Sequence, residues 1–267
     1  MSGINLKLRH YRRSLVIDWL SFENLKWRMA CRMFGYAGKS KNDLHALYSG
    51  FKNACANDPT LQAVAPGCSR HCHGWGYVIH AENGLFHYRT SRPVYDDKVV
   101  LPELHGEIHA IFHGRYASNE KLMGHIFSHP FVAATNNEVI FLAHNGGVLP
   151  ENELERSVDS EWVLEEIARA GATDKALPKL KERTKSALNL LILQVGRAAG
   201  TPVSLHYLNF FKPKEPGKID YYRMFTGSMP EGRALVSGTL TMNDSKVRGL
   251  TNIAPAEFDA LAPLNFV

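Results

Sequence analysis

One cysteine and four later clusters carry the residue types from which covalent amide chemistry is built. Cys31 sits in the run Met29-Ala30-Cys31-Arg32-Met33-Phe34-Gly35-Tyr36. It is followed by His71-Cys72-His73-Gly74-Trp75-Gly76, His113-Gly114-Arg115-Tyr116-Ala117-Ser118, Ala143-His144-Asn145-Gly146-Gly147 and Val158-Asp159-Ser160-Glu161. A thiolate that attacks a carbonyl forms a thioester, which water later opens, so the hydrolysis of a poor electrophile is split into two easier steps. The oxyanion made by the attack needs donors fixed in advance. A substrate with an α-carboxylate and an α-ammonium needs a cation and an anion close together. Each residue also has a plainer reading: Cys31 as a buried strand cysteine, Asn145-Gly146 as a tight turn, Arg115 as half of an ordinary salt bridge and Asp159 as a helix N-cap. An ordered series of such motifs is far harder to obtain by chance than any one of them.

In order and spacing these segments resemble the class II glutamine amidotransferases, whose glutaminase domain is an N-terminal-nucleophile hydrolase. The resemblance runs from Cys31 to the C-terminus and is strongest through Glu161. It implies an α+β chain folded as a four-layer αββα sandwich, helices covering two stacked antiparallel sheets. It also implies that Cys31 is the nucleophile and that its own α-amino group, once free, is the base, with an ordinary pKa near 8 that suits proton transfer at neutral pH. The Asn145 side-chain amide and the Gly146 backbone N–H match the family's oxyanion donors. Arg115 matches the residue that grips the substrate's carboxylate and Asp159 the acceptor for its ammonium. Ser118 stands where the family often has threonine. Gly74-Trp75-Gly76 resembles the family's Asp-Gly-Trp-Gly stretch, where glycines let the backbone approach the substrate, with His73 in place of the aspartate. Phe127-Ser128-His129-Pro130-Phe131 matches a loop that often reads Asn-x-His-Pro-Phe, with Phe127 in place of the asparagine.

The implied activity is the release of ammonia and glutamate from glutamine, with the ammonia passed to a synthase in trans. The alternatives are hydrolysis of another γ-glutamyl amide, as in a relative that acts in ergothioneine synthesis, and a non-catalytic binding or regulatory module on the same fold. No cofactor is implied.

The remaining sequence must position these residues. At 267 residues and 45% hydrophobic composition the chain can bury a full core. The reading divides it into a leader, residues 1–30, and one domain, 31–267. The net charge of +5 lies mostly in the leader: residues 1–30 hold six basic and two acidic side chains, the remainder 25 and 24. The main domain therefore lacks the dense positive surface that a nucleic-acid partner requires. The leader is open to three readings: a removable propeptide, a membrane-surface or targeting helix, and translated sequence upstream of a start at Met29. Its short apolar run contains Asp18, unlike a signal peptide. No stretch approaches the roughly 18 apolar residues of a membrane span. Four cysteines without a secretory signal fit reduced thiols and a cytoplasmic setting.

Periodicity predicts a helix through Leu44, Leu47, Tyr48, Phe51, Ala54 and Cys55, with Asn42 and Asp43 near its start. Strands are expected at Gly76–Ile79, Ile108–Phe112 and Val139–Ala143, with the site residues at their ends. A helix should follow Asp159, and Leu177, Leu180, Ala187, Leu188, Leu191 and Val195 suggest another reaching toward Gly200. Strands are expected again from Val203, with 212–218 as an exposed connection between Tyr207–Phe211 and Tyr221–Phe225. Cys68, His71, Cys72 and His73 form a soft-ligand cluster that raises the question of zinc, yet a structural site usually brings a second spaced pair. His105, His109 and His113 could supply one only on a helix, and Ile108–Phe112 reads as a strand. No metal site is therefore assigned.

Overall fold

The computed structural model describes residues 30–117, 122–151, 158–198, 200–242 and 246–266. The leader through residue 29 and Ser118 lie outside these residues.

Strand β1 (Ala30–Gly38) is buried along its whole length. Successive strand side chains point to opposite faces, so Phe34 and Tyr36 enter one apolar cluster while Met33 and Ala37 enter another. Cys31 has the parity of Met33. Helix α1 (Lys41–Ala56) starts at Ser40, whose side chain accepts from the Asp43 N–H; the cap thus lies just before the expected Asn42 and Asp43. Its Leu44, Leu47, Phe51 and Cys55 pack with Phe34, Trp75 and Phe112.

Strands β2 (Trp75–Ala81), β3 (Gly84–Thr90) and β4 (Ile108–Tyr116) follow, then β5 (Phe131–Ala134) and β6 (Glu138–Val148). Helices α2 (Asp159–Ala170) and α3 (Thr173–Arg183) precede β7 (Thr184–Gly196) and β8 (Val203–Leu208). The rest comprises α4 (Pro216–Tyr222), β9 (Met224–Met229), β10 (Gly232–Ser237), β11 (Thr251–Pro255) and β12 (Leu261–Pro263). The strands form two antiparallel sheets, ordered β11-β9-β10-β1-β4-β2-β3 and β12-β8-β7-β6-β5. Mixed helices and strands with two antiparallel sheets are as the sequence reading expects.

Three clusters account for most of the core. One lies between α1 and the seven-stranded sheet. A second joins α2 and α3 to β6 and β7 through Trp162, Val163, Leu180, Leu142 and Leu190. The third brings Met33, Val78 and Ile111 of the first sheet against Phe141, Ala143, Leu191 and Leu193 of the second.

Three expectations need correction. The helix drawn from Leu177 to Val195 is a helix to Arg183 and then a strand. Leu188, Leu190 and Ile192 of β7 are buried on one face and Leu191 and Leu193 on the other, and a strand buried on both faces presents a continuous apolar run that lacks the alternation of a strand. Tyr221 and Tyr222 end helix α4, so the strand expected from Tyr221 starts at Met224. Arg115, Asn145 and Gly146 lie within β4 and β6, not beyond their ends.

Candidate active site

Antiparallel pairing places Arg115 of β4 directly opposite Cys31 of β1, and residues so paired project from the same face. Both are fully buried. Burial pushes the Cys31 thiol pKa up to about 12; the Arg115 charge and an N–H from Tyr116 act against this, and Asp159 adds to it. Burial also presses on the Arg115 guanidinium, and the charges of Cys31 and Asp159 favour keeping it protonated. The three side chains therefore share one electrostatic environment. Arg115 is further held by Nη1 donating to the Leu122 carbonyl at 2.6 Å.

The second sheet supplies Asn145. Its Oδ1 accepts the Cys31 backbone N–H at 3.1 Å, which links the two sheets at Cys31. Asn145 pairs with Asn189 of β7, so Asn145-Gly146 is continuous strand and not a hairpin turn. Asn189 donates to the Tyr222 carbonyl and accepts from the Phe210 N–H. Gly146 is required by crowding: with φ at +154°, a Cβ there would collide with the Ala187 carbonyl. Register slips just after it, between Gly146 and Val148.

Asp159 opens α2, yet its side chain makes no helix-capping bond; Oδ2 accepts the Val148 N–H at 2.9 Å. Its carboxylate is thus aimed back at the end of β6. His144 lies beside it, with Nδ1 3.0 Å from the Ser160 hydroxyl and Nε2 3.3 Å from the Ala187 carbonyl. That carbonyl only accepts, so the proton sits on Nε2 and the hydroxyl faces the Nδ1 lone pair. His113 donates from Nε2 to the His144 carbonyl at 3.1 Å, and its ring centroid lies 4.1 Å from that of the buried His129, the two planes tilted by 39°.

The Gly74-Trp75-Gly76 segment is built differently from the expectation. A Cβ on Gly74, at φ +110°, would strike Ser128 and the Thr90 carbonyl, so the close approach it permits is to the chain's own backbone. Trp75 turns into the cluster under α1 and donates from Nε1 to Asp97 at 3.0 Å. Of this segment, the Gly74 carbonyl serves the site directly, accepting the Arg115 N–H at 2.9 Å. His73, in the aspartate's place, accepts the Ala117 N–H on Nδ1 at 2.8 Å, so an acceptor is retained there.

A buried polar group next to Cys31 was missed by the motif reading. Arg32 Nε lies 2.6 Å from Asp58 Oδ2, and its guanidinium covers the Tyr221 ring at 4.1 Å. His71 Nε2 also reaches Asp58 Oδ2, at 2.8 Å. The Arg32 and His71 charges hold the Asp58 carboxyl well below the usual carboxylate range against the opposing effect of burial. The Tyr221 hydroxyl donates to the Cys31 carbonyl at 3.1 Å. The signal available was Arg32 itself, a charge inside an apolar strand, which demands a buried partner.

The soft-ligand residues are dispersed among other contacts: His71 on Asp58, His73 on Ala117 and Cys68 Sγ 2.9 Å from the Tyr116 hydroxyl. Among the described residues no group of three or more His, Cys, Asp or Glu side chains could hold a metal ion.

No family model matches the sequence, and no curated protein matches it. Among solved structures, the chain is similar to one described as the allosteric regulatory enzyme of purine biosynthesis, with 19% identity and a TM-score of 0.61 over 88% of this chain and 47% of that one. The two share a fold. This chain spans about half the length of that enzyme. A crystal structure of a predicted glutamine amidotransferase from Pseudomonas aeruginosa PA01 also matches, at 13% identity and a TM-score of 0.42, over 88% of this chain and 95% of that one.

Proposed function

We propose that the chain is a class II glutamine amidotransferase-type hydrolase that releases ammonia and glutamate from glutamine through a thioester on Cys31. The observation that carries this reading is the convergence on Cys31: Arg115 opposite it and Asn145 on its N–H. The helix-covered clusters outside each sheet and the third cluster between sheets support a four-layer αββα sandwich.

In this mechanism the backbone nitrogen of Cys31 becomes a free amine and remains beside Asn145 Oδ1. The amine takes the thiol proton, which matters because the buried thiol has little thiolate of its own. Asn145 Oδ1 is occupied by that nitrogen, which leaves its Nδ2 N–H groups as donors for the oxyanion, beside the Gly146 N–H. Arg115 holds the substrate carboxylate and Asp159 the ammonium, and the resemblance assigns Ser118, outside the described residues, a further substrate contact. Gly74 positions Arg115 through its carbonyl, and Trp75 supports the strand from the core side.

The ammonia passes to a synthase partner in trans. Four free cysteines suit a reducing, cytoplasmic compartment, and no helix among the described residues is long and apolar enough to cross a membrane. The test is glutamine turnover, read as equal release of ammonia and glutamate, by protein whose intact mass begins at Cys31. No turnover by that species, folded and with a titratable thiol, would refute the reading.

A further inference from the structure

His71 presents a ring nitrogen to the backbone nitrogen side of Cys31. Its Nδ1 lies 3.3 Å from the Ala30 carbonyl oxygen, which belongs to the same peptide unit as the Cys31 N–H. The other ring nitrogen, Nε2, lies 2.8 Å from Asp58 Oδ2. Asp58 is itself fixed by the Thr60 N–H at 3.0 Å and by the Thr60 and Thr239 hydroxyls at 2.8 Å, besides Arg32. His71 and Asp58 are both fully buried, and the carboxylate sets which way the ring faces.

An ionised carboxylate only accepts, so one ring proton belongs on Nε2. Burial, the larger effect, favours the neutral ring against the pull of Asp58, which leaves a lone pair on Nδ1. That lone pair meets the Ala30 carbonyl oxygen, another acceptor, which offers it no proton. In the form that begins at Cys31 this oxygen is gone. It stands about 2.2 Å from the Cys31 nitrogen, so the amine and Nδ1 are at most about 5.5 Å apart, a gap that one water spans with two ordinary hydrogen bonds. The sulfur of the same cysteine is separated from that amine only by Cα and Cβ, so the water stands beside an acyl group carried on the sulfur.

We propose that His71, held by Asp58, is the base that draws a proton from the water that opens the Cys31 thioester. The inference rests on the reading of the chain as a hydrolase with Cys31 as its first residue. One N–H of the free amine stays on Asn145 Oδ1, another donates to the water, and the water donates to His71 Nδ1, within the reach that a general base needs. The water oxygen bonds to the thioester carbon as its proton moves to Nδ1, and the carbonyl π pair moves onto the oxygen facing Asn145 and Gly146. The imidazolium so formed faces the Asp58 carboxylate. When the carbonyl re-forms, the C–S bond breaks with its electron pair on sulfur, and the proton returns from Nδ1 through a second water and the amine to the thiolate. Glutamate leaves, and nothing is oxidised or reduced. The proton work is thereby divided: the amine serves the thiol and the departing ammonia, and His71 serves the water.

The test compares wild type with His71→Gln, both as protein whose intact mass begins at Cys31, following glutamine turnover and intact mass together. His71→Gln keeps a donor for Asp58 and an acceptor for the water but cannot take up a proton. It is expected to hydrolyse glutamine at least tenfold more slowly and to accumulate the glutamyl thioester, seen as added mass on the protein. Hydroxylamine, which attacks thioesters without help from a base, should restore its turnover by forming the γ-glutamyl hydroxamate. His71→Phe is expected to behave alike and decides the matter if His71→Gln does not fold. Loss of a mere strut would loosen the site and slow thioester formation, so neither the added mass nor the rescue would appear. A folded His71 variant that works at the wild-type rate, or that is slow without thioester and without rescue, would overturn the proposal and leave the hydrolase reading standing. Folded wild-type protein that does not turn over glutamine would overturn the hydrolase reading, and the proposal with it.

Discussion

Arg115 and Cys31 are a buried cross-strand pair near one end of the two central strands β1 and β4, so a permanent cation and the Cys31 thiol share one face. The guanidinium favours the thiolate and, in the proposed site, grips the substrate's carboxylate. Arg115→Lys keeps the charge and loses the planar fork, so it is expected to raise KM for glutamine by about tenfold or more with a smaller change in kcat. Steady-state kinetics check this, alongside glutamine analogues lacking the α-carboxylate or α-amine, which should not react. A bulky γ-glutamyl amide hydrolysed much faster than glutamine would point to that substrate class and away from ammonia supply.

Asn145→Ala removes the proposed oxyanion donor and also the acceptor for the Cys31 nitrogen. Loss of one such donor is expected to lower kcat by roughly 10²–10³-fold. Circular dichroism must show the variant folded. Unchanged kcat in folded protein would mean the oxyanion is held elsewhere.

Gly146→Ala should act on folding. The new Cβ meets the Ala187 carbonyl of the neighbouring strand, which cannot move without opening the sheet. A loss of about 1–3 kcal/mol is expected, read as a lower midpoint in urea denaturation.

Acid should destabilise the protein in a defined window. Burial lowers the His113 pKa to about 3, and His129 and His144 shift the same way. The unfolded chain thus binds more protons than the folded one between pH 3 and about 6.5, and stability, complete above 6.5, falls as pH drops through that range. Each pH unit between the two His113 values is worth about 1.4 kcal/mol. Asp58, with its depressed pKa, adds a further loss as pH falls below the ordinary carboxylate range. Denaturant midpoints at pH 7.5, 6 and 5 should decline in order. Replacing His113 with Phe should flatten the decline.

Cys31, Arg115, Asn145 and Asp159 were legible because each belongs to a local motif, and the structure brings them to one place. β7 was not, because burial on two faces erases the alternation by which strands are recognised. Gly74-Trp75-Gly76 was read by its resemblance as backbone that approaches the substrate, yet strand parity turns Trp75 toward α1. The Arg32–Asp58–His71 group was hidden by separation: its members lie far apart in sequence and share no motif, and their contacts depend on where the start of β1 meets the segments after α1. His73 illustrates a substitution whose consequence only geometry reveals, since a ring nitrogen takes the backbone N–H at the aspartate's position.

Tyr221 closes over the Cys31 carbonyl from 190 residues further along the chain, and Ser237 takes the Met33 N–H from 204. At roughly 5–20 residues per second of synthesis, the nucleophile leaves the ribosome about ten seconds or more before the residues that fix its strand. The setting of Cys31 is therefore a property only of a polypeptide that has been synthesised at least through Ser237 and folded.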